Sequence, residues 1–279
     1  RLGTSRIIKI VNSMRNQIRN LGNTEKVKFK VRPKISIVIP LYNTPEDLFR
    51  ELLFNLYRQT YTNWELCLAD GSKEELEYIK KMCKDERIKY KFLGKNLGIS
   101  GNSNEGLAMA TGDWVALLDH DDLLMRGALY EVVKVINENP NVRFVYTDED
   151  KMTTIDTPRF DAHFKPKFSP DYLRGNNYIC HFSVFKKEVM DKLEGFRDDY
   201  NGAQDLDIFL RMTEIVEPKD IIHIPKVLYH WRQSPNSTST YLGNKSYAYL
   251  AGKKALEDYF KRNKIKASVL ENVGHQPTV

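Results

Sequence analysis

The chain has 279 residues, 41% hydrophobic and 29% charged, a globular balance with room for one large or two modest domains. Its net charge of +6 is unevenly spread: residues 1–34 hold ten Lys/Arg and one acid, while the remaining 33 Lys/Arg face 36 Asp/Glu. That slightly acidic body argues against a polyanion-binding surface, so no nucleic-acid partner is expected. No apolar run approaches the ~20 residues that span a bilayer. Cys67, Cys83 and Cys180 are far apart and lack zinc-ligand spacing, which reads as buried thiols in a reducing compartment.

Taken in order, Ile7, Val11, Met14, Ile18 and Leu21 form an apolar seam flanked by Arg6, Lys9, Arg15 and Arg19. Such a basic amphipathic helix packs on a neighbouring domain, lies on an anionic membrane face, or is a poorly ordered arm. Residues 23–34 read as linker. Ile35–Ile39, closed by Pro40, is a first strand. Thr44 and Pro45 then open a helix with Leu48, Leu52, Leu53 and Leu56 inward. Trp64–Ala69 is a second strand, after which Ser72 and Glu75 form a capping box for a helix carrying Leu76, Ile79 and Met82. A third strand covers Ile88–Leu93 and a helix covers Ser100–Ala110.

The organising stretch is Trp114-Val-Ala-Leu-Leu-Asp-His-Asp-Asp122, a strand buried on both faces that runs into a cluster of acids. At the carboxyl end of a parallel strand such a cluster suits a divalent metal holding a phosphate-bearing ligand; alternatively it is a solvated turn. A helix with Leu129, Val132, Val133 and Ile136 follows, then a fifth strand from Val142 to Tyr146 that ends in Thr147-Asp-Glu-Asp150. This alternation predicts an α/β, doubly wound, mostly parallel sheet. It lacks both the Gly-x-Gly-x-x-Gly turn of dinucleotide sites and the phosphate-binding P-loop.

Beyond residue 150 the alternation breaks. Residues 151–180 read as an irregular connector, Phe182–Phe185 as a strand, and Gly202–Arg211 as a helix with Leu206, Phe209 and Leu210 inward. Ile221–Ile224 and Val227–Tyr229 are two short strand-like pieces, and a last amphipathic helix over residues 244–262 carries Tyr247, Leu250, Ala251, Ala255 and Tyr259. The organisation is therefore a leader at 1–34, an α/β half at 35–150, a less regular half of the same domain at 151–243, and a C-terminal helix and tail at 244–279.

Several landmarks occur in a fixed order: Ser36-Ile-Val-Ile-Pro-Leu-Tyr-Asn43, Gln59-Thr60 with Trp64-Glu65, Asp70-Gly-Ser72, Asn96-Leu-Gly-Ile-Ser100, Gly112-Asp-Trp-Val-Ala-Leu-Leu-Asp-His-Asp-Asp122, Tyr146-Thr-Asp-Glu-Asp150, Gln204-Asp205 and Leu228-Tyr-His-Trp-Arg232. Over roughly residues 35–240 this set resembles the family 2 inverting glycosyltransferases of GT-A fold, in particular those that make bacterial surface polysaccharides. The resemblance implies transfer from a nucleoside diphosphate sugar, UDP first and dTDP second, to a glycan or lipid-linked glycan hydroxyl, with Mn2+ or Mg2+ as cofactor. It also implies a cytoplasmic location, free or peripheral on the inner membrane face.

The same resemblance implies roles for individual residues. Asp121 and His230 would hold the metal, and Asp119 would reach the ribose or a metal-bound water. Pro40, Tyr42, Asn43, Asp70, Asn96, His120 and Arg232 would line the donor site, Asp70 accepting from a nucleobase ring N–H. Asp205 would be the catalytic base, with Asp207 the runner-up. Asp148, Asp150, Asn177, Tyr178, His181 and Gln204 would lie on the acceptor side. The family's arginine after the glycine-containing stretch is absent, since that place reads Asn102-Ser103-Asn104, and Gln204 stands where glutamate is usual. Two other readings are a non-catalytic sugar-nucleotide module and a sugar nucleotidyltransferase; the latter needs a Gly-rich basic loop where this chain has Leu41-Tyr-Asn43.

Overall fold

The structure, a computed structural model, describes residues 28–233 and 246–270. The apolar seam from Ile7 to Leu21 lies outside the described residues. The first half runs β1 (Ile35–Leu41), α1 (Glu46–Tyr57), β2 (Trp64–Asp70), α2 (Glu77–Met82), β3 (Ile88–Phe92), α3 (Gly98–Met109) and β4 (Trp114–Leu117). It continues with β5 (Leu123–Leu124), α4 (Ala128–Glu138), β6 (Phe144–Met152), β7 (Phe160–His163), α5 (Pro170–Gly175), β8 (Ser183–Lys186), α6 (Lys187–Leu193), α7 (Gln204–Met212), β9 (Ile221–Arg232) and α8 (Ser246–Arg262).

Among the described residues the nine strands join one sheet in the order β3-β2-β1-β4-β8-β6-β9-β5, with β7 beside β6. The first four are parallel, as the helical crossovers between them require. The expected mostly parallel sheet is corrected beyond that point. β8 enters antiparallel between β4 and β6, and β7 on β6 and β5 on β9 are also antiparallel, so the α/β sheet is mixed. A hydrophobic run signals a strand but not its partner, and β8 separates two strands that periodicity alone would make neighbours.

Alternation along β1 sorts the core into two layers. Ile35, Ile37 and Ile39 face α1 and α4 through Leu52, Leu53, Leu129, Val132 and Val133. Val38 faces the other way, with Val115, Phe144, Phe185 and the apolar residues of α6, α7 and α8. Each such fully buried aliphatic or aromatic side chain contributes about 1.5–3 kcal/mol.

Several local expectations change. Pro45, not Thr44, is the N-cap of α1, and Phe49 rather than Leu48 is the buried residue of its first turn. Ser72 caps nothing: α2 begins five residues later and the Ser72 hydroxyl bonds to Asp70 instead. The acids at 148–150 lie inside β6, which runs on to Met152 across the expected boundary at 150. The two pieces after Ile221 are one strand of 12 residues. Tyr247 and Leu250 of α8 are exposed, and Ala251, Ala255 and Tyr259 form its buried face.

Glu65 fastens the end of the sheet opposite the strands' carboxyl ends. Its Oε1 accepts from the Ser36 hydroxyl at 2.7 Å and from Thr111 N at 2.6 Å, and Lys34 and Lys89 flank Oε2. Burial alone would raise this carboxyl, but those donors bring it down to about 2. A depressed carboxylate stabilises the fold above its unfolded pKa, and that contribution is lost as pH falls toward 2. Gly112 closes the same corner. A β-carbon there would lie 2.6 Å from Lys34 O and 2.9 Å from Ser36 N, both backbone atoms that cannot swing aside. Gly112→Ala is therefore expected to destabilise the protein by about 1–3 kcal/mol, measured as a shift in the urea midpoint.

Candidate active site

Strand order reverses between β1, which pairs with β2 on one side, and β4 on the other. Open α/β sheets leave a crevice at the carboxyl ends of such strands. From β1 the chain passes Pro40 and the exposed Tyr42 to Asn43, whose φ of 47° is left-handed, a conformation asparagine tolerates. Asn43 N donates to Ser72 Oγ at 2.8 Å, tying the loops after β1 and β2 together. β4 delivers Asp119, and the first turn of α7 delivers Gln204 and Asp205. With His181 from the segment before β8, these residues line a cavity of about 110 Å³ that also includes Pro40.

Asp205 is half-buried. Burial pushes its carboxyl up to about 6, His181 acting in the opposite direction and Asp119 in the same one. Gln204 keeps its Oε1 on Gly202 N at 2.9 Å. His181 stacks on Tyr229 with ring centroids 4.7 Å apart, and its Nε2 lies 3.8 Å from Asp119 Oδ2. Asp207 is not part of this cavity: it is 1% exposed and paired with Arg197 and Arg211.

The acidic turn is buried progressively. Asp119 is half-exposed, while Asp121 is pushed up by burial, with His120 opposing and Asp119 reinforcing the shift. Asp122 is fully enclosed; it accepts from the Tyr229 hydroxyl and, at 2.6 Å, from Arg232 N. It therefore anchors β9, and the N-cap of α4 is Gly127. Arg232 is 6% exposed, its Nε donating to Asp121 O at 2.6 Å and its guanidinium to Glu51 at 2.7 Å. His230 alternates along β9 with Tyr229 and Trp231, and its Nδ1 lies 2.6 Å from Asp150 Oδ1.

Among the described residues no three His, Cys, Asp or Glu side chains gather into a metal-binding cluster. A Mg2+-type ion bound together with a diphosphate takes one or two carboxylates and completes its shell from phosphate and water. Asp121 fits such a donor set, since burial and Asp119 both penalise its charge. His230 has the carboxylate-oriented imidazole typical of metal-ligating histidines.

The other expected site residues are dispersed. Asp70 has no exposed surface; Oδ1 accepts from Ser72 N and Oγ, and Oδ2 from the Tyr90 hydroxyl at 2.9 Å. Asn96 spends its Oδ1 on the start of α3, on Gly98 N and Asn102 Nδ2. Asp148 bonds to Lys165 N and the His223 ring, so it orders the 151–180 connector. Asn177 Nδ2 contacts Cys180 Sγ at 3.4 Å. Tyr178 is 0% exposed, its hydroxyl accepting from Ser169 N, and it belongs to the core.

The residue that sequence reasoning missed is Glu149. Its carboxylate accepts from His181 N, lies 3.2 Å from His181 Nδ1 and approaches Lys165 Nζ, a side chain with no exposed surface. A signal existed: once residues 147–150 are strand, alternation puts Glu149 on the face opposite Asp148 and Asp150. Nothing in the local sequence marks Lys165 as buried.

The family model for glycosyl transferase family 2 matches residues 36–194. An uncharacterized protein, y4gI, of Sinorhizobium fredii is 42% identical over 82% of this chain and 26% of its own length. The O-antigen biosynthesis protein RfbC of Myxococcus xanthus is 32% identical over 85% of this chain and 19% of its own length. The chain thus spans about a fifth to a quarter of these two relatives. Staphylococcus aureus TarS 1–349, solved in complex with UDP-GlcNAc, aligns with a TM-score of 0.66 at 17% identity, over 86% of this chain and 68% of that one; this likeness concerns the fold alone. With more than half of its length inside the family model, and with that sheet and crevice, the chain belongs to glycosyl transferase family 2.

Proposed function

We propose that the chain is an inverting glycosyltransferase module that moves a sugar from a nucleoside diphosphate sugar to a hydroxyl of a glycan or lipid-linked glycan. The observation that carries the proposal is the convergence of Asp119 and Asp205 on one cavity at the strand reversal. Asp205 takes the proton of the acceptor hydroxyl as that oxygen attacks the anomeric carbon, and the nucleoside diphosphate leaves from the opposite face. One attack of this kind inverts the configuration. Asp121, with His230, would hold a Mn2+ or Mg2+ ion, which when bound offsets the charge of the leaving diphosphate. A purely scaffolding module would have no need of a half-buried carboxylate in this cavity. Membership of a surface-polysaccharide enzyme on the inner membrane face is part of the same proposal; among the described residues no helix is long and apolar enough to cross a membrane.

UDP is the proposed nucleotide and dTDP the second. Both bases offer an N3–H, whereas cytosine does not; Asp70 would meet it only by releasing Tyr90 from Oδ2, since it has no exposed surface. Calorimetric titration with UDP, dTDP, CDP and GDP in the presence of Mn2+ is expected to rank UDP first, and tighter binding of CDP or GDP overturns the assignment. Since Asp205 acts as base only when ionised, kcat/KM is expected to fall about tenfold per pH unit below about 6. A profile flat down to pH 5 contradicts this.

A further inference from the structure

We propose that Glu149 and His181 form a positioning pair for the base: Glu149 holds His181 as an imidazolium, and this cation, lining the cavity with Asp119 and Asp205, keeps Asp205 ionised. The inference rests on Asp205 being the base and adds two residues that act through it.

The geometry is specific. Glu149 engages both the backbone N and the Nδ1 of His181, so the ring is fixed at its Nδ1 side by a buried carboxylate. Tyr229 stacks on the ring with planes 15° apart, leaving rotation little room. Nε2 then faces Asp119 Oδ2 at 3.8 Å, at the wall of the cavity that Asp205 also lines.

The charges around His181 favour its cationic form. Glu149 and Lys165 stand behind it, the latter donating to His181 O and Ile179 O, and His163 lies on the other oxygen of Glu149. Asp119 and Asp122 approach from the loop after β4, and Asp205 from α7. Burial opposes the charge, yet the carboxylates prevail and raise His181 to about 9. The imidazolium is thus present throughout the neutral range. Without it, Asp205 would face Asp119 alone in a half-buried cavity, and both burial and like charge would favour its neutral form.

The test is the pH dependence of transfer together with a 13C carboxyl NMR titration of Asp205 in the nucleotide-free protein. His181→Asn is expected to move the acidic limb of kcat/KM, and the Asp205 carboxyl, upward by about 1 pH unit. At pH 8.5, where Asp205 ionises in either protein, much of the activity should return. Glu149→Gln is expected to shift both in the same direction, and the double variant no further than His181→Asn alone. A folded His181→Asn protein with both limb and carboxyl unmoved overturns the proposal, as does full additivity of the two shifts. Should Glu149→Gln not fold, the His181→Asn comparison decides by itself. Near-normal transfer by Asp205→Asn would instead remove the base assignment, an outcome distinguishable because the NMR titration reads the electrostatic coupling without chemistry.

Discussion

Asp205→Asn is expected to lower transfer by about 10²–10⁴-fold while leaving nucleotide affinity unchanged. The amide keeps the size of the carboxylate and can still hydrogen-bond an acceptor hydroxyl, but it cannot take the proton. Asn43 and Asp70 are held without Asp205: Asn43 N donates to Ser72 Oγ, and Asp70, the last residue of β2, accepts from Ser72 and Tyr90, whereas Asp205 sits on the first turn of α7. Single-turnover transfer and UDP titration, run on the same sample, separate the two effects. The wild-type product should carry the anomeric configuration opposite to the donor's, read from proton NMR couplings. Near-normal transfer by the variant would move the search to another carboxylate, and retained configuration would exclude a single in-line attack.

The parallel half of the sheet is legible in the sequence because its signals are local. Ile35–Leu41, Trp64–Asp70 and Trp114–Leu117 are short apolar runs followed by polar turn residues, and parallel strands place those turns together at one edge. The acids after Trp114–Leu117 stand out on that ground, whereas Asp205 is marked only by the resemblance of Gln204-Asp205 to the family's pattern. What is not legible is long-range. That β8 sits between β4 and β6 depends on which hydrophobic faces complement each other across the sheet. Arg232 looks like a phosphate ligand in Leu228-Tyr-His-Trp-Arg232, yet its guanidinium lies against Glu51 and the Asp121 carbonyl, 181 and 111 positions away in the chain. Tyr178 follows the same logic: an aromatic in an irregular connector reads as a surface contact, but Tyr146 and Tyr172 enclose it.

Asp207→Ala is expected to unfold the protein early without touching the chemistry, the reverse of the Asp205 variant. Only two positions separate these acids, but a rotation of about 200° along the helix sends them to opposite sides. Asp207 Oδ2 receives Arg211 Nε at 2.9 Å and Arg197 Nε at 3.1 Å, and it is 1% exposed. Arg211 is itself largely buried and donates to Leu193 O at 2.6 Å and Gly195 O at 2.7 Å, so it clamps the end of α6 to α7. Removing the carboxylate leaves two guanidinium groups facing each other with no countercharge. Breaking such a buried pair from one side costs about 3–5 kcal/mol. The lower part of that range applies here, because Arg197 is over a third exposed and Arg211 keeps its two carbonyl partners. At about 2–4 °C per kcal/mol for a chain of this size, the melting temperature should fall by roughly 6–12 °C. Molecules still folded at low temperature should show the wild-type acidic limb near pH 6. A variant with unchanged melting temperature but no transfer would place Asp207, not Asp205, at the reacting hydroxyl.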